Sequence, residues 1–169
     1  MEKPKVLVAM SGGVDSSVAA LFLKNRGFQV IGAFMKNWSD TKNQLTGECS
    51  WKDDRKVAMN IASKLGIPLI TLDFEKQYRK HVVNPMFSFY SKGITPNPDV
   101  DCNNKVKFPF LWKAAKKLGA DFIATGHYIR KDKNGKKLLR AKDERKDQSY
   151  FLYRLTPEDL GHSLFPIGH

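Results

Sequence analysis

Two groups of residues in this chain are of the right types and spacing to do chemistry. The first is Ser11-Gly12-Gly13-Val14-Asp15-Ser16-Ser17, directly after the apolar run Val6-Leu7-Val8-Ala9-Met10. Adjacent glycines let a backbone approach a bound anion with no Cβ in the way. The hydroxyls of Ser11, Ser16 and Ser17, with the free N–H groups of a helix starting there, suit a phosphate. No lysine follows the glycines as in G-x-x-x-x-G-K-[ST], so this is not a Walker loop. The plainer reading, a strand–turn–helix joint with Asp15 as N-cap, needs one of these residues and not the whole string. The second group is Cys102 with Asp99 three residues before it. A thiol attacks as its thiolate, and Asp99 is placed to act as base or orienting group, although its own charge disfavours that thiolate. Cys102 as a small buried hydrophobe is the alternative; its neighbours Asp101, Asn103 and Asn104 do not suit a core.

The elements that position these groups follow from the alternation of short apolar runs with longer amphipathic ones. Strands are expected over Val6–Met10, Gln29–Met35, Pro68–Asp73 and Asp121–Thr125. A helix is expected over Asp15–Arg26, with Val18, Ala19, Leu21, Phe22 and Leu23 on its buried side and Gly27 at its end. Further helices are expected over Lys52–Leu65, Phe74–Ser91 and Lys105–Leu118, with Pro85 kinking or splitting the second. Lys36–Ser50 is polar and irregular. Gly93–Asn104 is an extended, fairly stiff loop held by Pro96 and Pro98. Tyr128–Arg140 forms a hairpin around Asn134-Gly135. Strands alternating with helices make an α/β protein with a mainly parallel sheet covered on both faces. Ligands of such sheets sit at the carboxyl ends of the strands, where the glycine loop, the segment after Met35 and the segment after Thr125 all lie.

Composition bounds the partners. The 169 residues suit a single domain, 1–169, and 41% hydrophobic with 27% charged is ordinary for a globular chain. No apolar run is long enough to span a membrane, and the start of the chain has no signal-peptide pattern, so a cytoplasmic protein with no membrane partner is expected. A net charge of +12 favours a polyanionic partner such as nucleic acid over mere solubility, because half of it falls in one stretch. Between Arg130 and Lys146 nine Lys or Arg stand against three Asp or Glu. Two cysteines, Cys49 and Cys102, make no disulfide framework, and Cys49 in the polar loop is incidental.

Several strings together resemble one family. The glycine loop is similar to that of the N-type ATP pyrophosphatases. In order after it come Phe34-Met35-Lys36-Asn37-Trp38, Thr95-Pro96-Asn97-Pro98-Asp99 leading to Cys102-Asn103 and Lys107-Phe108, Ala124-Thr125-Gly126-His127-Tyr128, Lys146-Asp147-Gln148-Ser149-Tyr150-Phe151-Leu152-Tyr153 and Leu164-Phe165-Pro166-Ile167-Gly168. In this order and spacing they resemble the tRNA-uridine 2-sulfurtransferases over essentially the whole chain. The resemblance implies a Rossmann-like sheet of the adenine nucleotide alpha hydrolase (PP-loop) type. It implies that Ala9, Met10, Ser11, Gly12, Gly13, Val14, Asp15, Ser16, Met35 and Gly126 bind ATP, with Mg²⁺ near Asp15. It further implies that Cys102 is the nucleophile with Asp99 beside it. Asn97, Pro98 and Asp99 would then meet the target base, and His127, Lys146, Asp147 and Gln148 the tRNA. The implied reaction adenylates the wobble uridine and delivers sulfur from a persulfide on a second cysteine, loaded by a sulfur-relay donor protein.

That second cysteine belongs to a later segment of the family, which this sequence does not contain. Cys49 precedes the TPNPD string and does not match it. The family's central and C-terminal domains are absent too, so the expectation is a piece of a longer enzyme. Two rival readings remain open. Another ATP pyrophosphatase that adenylates a small acid needs neither the basic hairpin nor TPNPD…C. A non-catalytic, basic RNA-binding module has no need of SGGVDSS.

Overall fold

The computed structural model describes residues 3–38 and 50–169. Cys49 and most of the expected polar loop lie outside the described residues. Strands β1 (Lys5–Ala9), β2 (Gln29–Lys36), β3 (Leu69–Asp73) and β4 (Phe122–Ala124) fall within about a residue of the sequence pattern. Helix α1 covers Val14–Asn25 and α2 covers Ser50–Leu65. The main sheet runs β3-β2-β1-β4-β7, with every pairing parallel; β7 is the short strand Ser163–Leu164. Strand β1 is central and buried on both sides, which is why it reads as an unbroken apolar run. Leu7 and Ala9 pack towards α6 (Phe108–Lys117) through Phe108, Leu111 and Ala115. Val6, Val8 and Met10 pack towards α1 and α2 through Ala20, Leu23 and Ala58.

Chain order reverses beside β1: the chain goes first to β2 and β3 on one side, then to β4 and β7 on the other. A crevice opens outside the carboxyl ends of β1 and β4 at such a point. The hairpin forms as expected, as β5 (Ile129–Lys131) antiparallel to β6 (Leu138–Arg140). Its loop is organised by Asp132, whose Oδ1 accepts from the N–H groups of Lys136 and Lys137 at 2.7 and 2.9 Å. A short helix α7 (Pro157–Gly161), started by a Thr156–Asp159 capping box, delivers the chain into β7. The sequence pattern did not single out α7 or β7.

Two expectations are corrected, and the plainer reading of Asp15 as a cap, set aside above, fails as well. Leu21 and Phe22 are exposed, at 40% and 44%, because Ser16, Ala19, Ala20 and Leu23 form the face of α1 that meets the sheet. Asp15 is not the N-cap; Gly13 holds that position and Asp15 lies in the first turn. The segment Gly93–Asn104 is extended only as far as Asn97. There the Asn97 side chain caps a helix by accepting from Val100 N at 3.2 Å, and Pro98 takes the first helical position. Helix α5 (Pro98–Cys102) then passes through a π-turn, Asn103–Lys107, straight into α6.

A second π-turn, Arg79–Val83, joins α3 (Glu75–Tyr78) to α4 (Asn84–Tyr90). The two share a cause. Each ends just before a proline, Pro85 or Pro109, whose ring would strike the carbonyl four residues back in a regular helix. The residue before each proline instead bonds five back, Asn84 to Arg79 O and Phe108 to Asn103 O, and the widened turn relieves the clash. Pro85 therefore widens its helix rather than splitting it.

Phe108 is fully buried between α6 and the sheet and lies against His127, ring centroids 6.1 Å apart. Phe108→Ala is expected to cost about 3–5 kcal/mol in urea denaturation. Phe22→Ala, on the exposed side of α1, is expected to stay within about 0.5 kcal/mol of the parent.

Candidate nucleotide and thiol site

A cavity of about 310 Å³ opens at the β1/β4 switch point. The end of β1 contributes Ala9 and Met10, the glycine loop and α1 contribute Ser11, Asp15 and Ser16, and the end of β2 contributes Met35 and Asn37. From the opposite side come Thr125, Gly126 and His127 after β4, Gln148 from beyond the hairpin, and Lys107 from the π-turn. Nine of the residues expected at a site thus share one cavity. Gly12, Gly13 and Val14 form the turn beside it, with Val14 exposed.

The glycine loop is preorganised by its own hydroxyls. Ser16 Oγ and Ser17 Oγ donate to Gly13 O at 3.0 and 2.8 Å, Ser11 N donates to Ser16 Oγ, and Gly13 N donates to Ser11 Oγ. Gly12 has φ +87°, and a Cβ there would lie 2.7 Å from Asp54 O, so this turn requires glycine. A Cβ on Gly126 would lie 2.6 Å from Ser16 N, so only glycine lets the segment after β4 close against the start of α1. Tyr128 OH donates to Asp15 Oδ1 at 3.0 Å and ties the two sides together.

His127 lies on the cavity wall. Thr125 Oγ1 is 2.7 Å from its Nδ1, and burial, aided by the charge of Lys107, drives its pKa down to about 3. It is neutral throughout the physiological range, a hydrogen-bonding group and not a charge. Gln148 is held from both ends of its residue, its Oε1 accepting from Tyr128 N and its N–H donating to Tyr128 O, each at 3.0 Å. Asp147 lies outside the cavity and is tied to the chain by Ala141 N at 2.8 Å and Ser149 Oγ at 2.6 Å. Lys146 is exposed.

Cys102 is buried at 9% among Phe74, Val82 and Val106, with Met35, Leu72 and Tyr78 against them. Of its polar neighbours Asp101 and Asn104 are half-buried, Asn103 is buried and donates from Nδ2 to Phe151 O at 3.4 Å, and Cys102 itself belongs to an apolar cluster. Met35 belongs both to this cluster and to the cavity wall, so one side chain separates the two. Burial raises the Cys102 pKa; Lys107 pulls it down and Asp99 pushes it further up. Asp99, Asn97 and Pro98 sit outside the cavity at the start of α5, with Asn97 and Asp99 exposed.

Lys107, Asn37 and Thr125 are cavity residues that the sequence reading assigned no role. Asn37 follows Met35 by two, which places it on the same side of the strand's continuation. Its Oδ1 is buried with no hydrogen-bond partner among the described residues, an acceptor facing a cavity. Of the nine basic residues over 130–146, seven are exposed. Lys131 folds inward and donates to Leu160 O and Ser163 O at 2.7 and 2.6 Å, and Arg130 Nε donates to Arg140 O at 2.9 Å, so these two brace the hairpin.

The raised Cys102 pKa sets a measurable sign. In a Cys49→Ser background, iodoacetamide modification of Cys102 is expected to rise with pH with a midpoint above the ordinary thiol value of about 8.5. Asp99→Asn should move that midpoint down. A midpoint below the ordinary value in the parent would contradict the burial of this thiol.

Comparison with known proteins agrees with this geometry. A family model described as the tRNA methyl transferase HUP domain matches residues 4–169. The chain is 54% identical over 170 residues to the tRNA-specific 2-thiouridylase MnmA of Christiangramia forsetii, covering 97% of this chain and 43% of that one. It is 49% identical over 169 residues to the protein of the same description from Bacillus subtilis, covering 99% of this chain and 45% of that one. It therefore spans less than half the length of these curated relatives, whose names bear out the resemblance read from the motifs. The structure described as a predicted subunit of tRNA methyltransferase from Methanocaldococcus jannaschii superposes with a TM-score of 0.55. It covers 98% of this chain and 70% of that one at 18% identity, a likeness of fold. The parallel sheet, the glycine-loop cavity at its switch point and a family match running over almost every residue agree: the chain belongs to the tRNA methyl transferase HUP domain family.

Proposed function

We propose that this chain is the nucleotide-activating part of a tRNA-uridine 2-sulfurtransferase, binding ATP in the switch-point cavity and activating the wobble uridine of tRNA beside Cys102. The observation that carries the reading is the cavity itself: a preorganised glycine loop on one wall and Met35, shared with the cysteine cluster, on another. The residues fit an adenine nucleotide. Met35 offers a soft face to the base, and the orphaned Asn37 Oδ1 is an acceptor of the kind an exocyclic amine would satisfy. The loop's N–H groups and hydroxyls face the phosphates, with Ala9 to Ser16 and Gly126 as the binding set.

Asp15 is the one carboxylate among the described lining residues. Mg²⁺ commonly binds one or two carboxylates together with substrate phosphates and waters, and Asp15 is the residue that would hold it, where it would neutralise phosphate charge. In the proposed reaction O2 of the uridine attacks the α-phosphorus of ATP and pyrophosphate leaves onto the glycine loop. A persulfide on a cysteine outside this chain then delivers sulfur to C2. Cys102 completes the release by forming a disulfide with that cysteine, and AMP departs. An external dithiol reductant then opens that disulfide, taking up the oxidation, and a sulfur-relay donor protein transfers a sulfur to the freed thiol to restore the persulfide. Asn97, Pro98 and Asp99 receive the base, which must be turned out of the anticodon loop to reach them. His127 and Gln148 at the cavity rim and Lys146 with Asp147 beyond it guide the RNA. The exposed basic residues of the hairpin region neutralise its backbone.

Calorimetry with ATP and Mg²⁺ tests the nucleotide half: the chain binds, and Asp15→Ala weakens binding by roughly tenfold or more, the loss of one charged ligand. Absence of binding by the folded chain would defeat the reading. Cys102→Ser, made in a protein of the relatives' full length, is expected to abolish thiolation while leaving ATP affinity intact. Retained thiolation would remove Cys102 from the reaction.

A further inference from the structure

The glycine loop has no lysine, yet a site that cleaves a triphosphate has to balance its charge. Among the described residues lining the cavity, Lys107 is the only cation and Asp15 the only anion. No ion pair among the described residues engages Lys107, whereas its neighbour Lys105 is only half-buried and is paired with Asp101 at 2.9 Å. Burial lowers the pKa of Lys107, while Cys102 and Asp99 pull it back up. A lysine kept in such a place without a carboxylate partner costs stability, and a ligand anion offsets that cost.

The π-turn explains how the lysine gets there. Lys107 and Cys102 are five residues apart. In an α-helix residues at that spacing diverge, since neighbours on one face are three or four apart. With bonding to the fifth residue, Phe108 N to Asn103 O, side chains five apart come close to one face. Lys107 thus lines the cavity while its charge acts on both Cys102 and His127.

We propose that Lys107 is the phosphate-facing cation of the nucleotide cavity, supplied from the cysteine-bearing helix in place of a lysine in the glycine loop. The inference rests on the reading of the cavity as an ATP site. Its consequence is that one charge acts on both halves of the chemistry: the charge that holds the phosphates also acts on the thiol.

The test is calorimetry with ATP and Mg²⁺ on the parent chain, Lys107→Met and Lys105→Met, with a thermal melt of each. Lys107→Met is expected to lower ATP affinity roughly 10- to 100-fold, the loss of a charged hydrogen-bond donor. Its Tm is expected to equal or exceed that of the parent, because an apolar side chain of similar length replaces a buried charge. Lys105→Met is expected to bind ATP as the parent does. Unchanged affinity in Lys107→Met overturns the proposal, and so does lost affinity accompanied by a lower Tm, which would make the lysine a structural residue. Failure of the parent itself to bind ATP overturns the nucleotide reading and this inference together.

Discussion

The absence of one carbon atom at position 126 governs the geometry of the site. The segment leaving β4 lies so close to the first turn of α1 that a Cβ on Gly126 would sit 2.6 Å from Ser16 N. That contact joins two connections far apart in sequence into one wall. It sets Thr125 and His127 across from Ser11, Asp15 and Ser16, and it lets Tyr128 reach Asp15. The parallel sheet makes the approach available, because β1 and β4 are neighbours whose carboxyl ends open at the same edge. Lys107 enters the same cavity from the π-turn before α6.

Electrostatically the site is built from groups held away from their ordinary behaviour. His127 is kept neutral, Lys107 is under pressure to lose its charge, and the Cys102 thiol is under pressure to keep its proton. Burial is the main cause in all three, and the charge of Lys107 acts on both of the others. Perturbed groups gathered around a cavity are a physical pointer to a functional site. The exposed basic residues over 130–146 are a different matter: they are solvated and suited to a long polyanion rather than to a small one.

Much of this was legible in the sequence. The strand–glycine–helix string, the four main strands and the ends of the helices at Gly27, Gly66 and Gly119 follow from local pattern, and a positive φ at each glycine is the physical reason. The polar neighbours of Cys102 argued against burial, but helical geometry turned the thiol inward while Asp101 turned out to Arg154 and Lys105. Leu21 and Phe22 looked like core because they are apolar, and only the sheet decides which stripe of α1 is covered. The start of α5 was hidden by two prolines that read as loop, although Asn97-Pro98 is equally a cap followed by a first helical residue. Lys107 stood inside a recognised string with no role, and the one linear sign of the π-turn that places it is Pro109 two residues later.

The π-turn at Asn103–Lys107 amounts to one extra residue in an otherwise regular helix. Excising a single residue there would bring back the α-helical repeat together with the clash of the Pro109 ring that the widened turn relieves. Cys102 and all of α5 would then swing by about 100° about the helix axis, the angle of one residue at 3.6 per turn. Insertion and deletion, which loops tolerate well, would here break a coupling: Cys102 and Lys107 would lose the face that the widened turn lets them share.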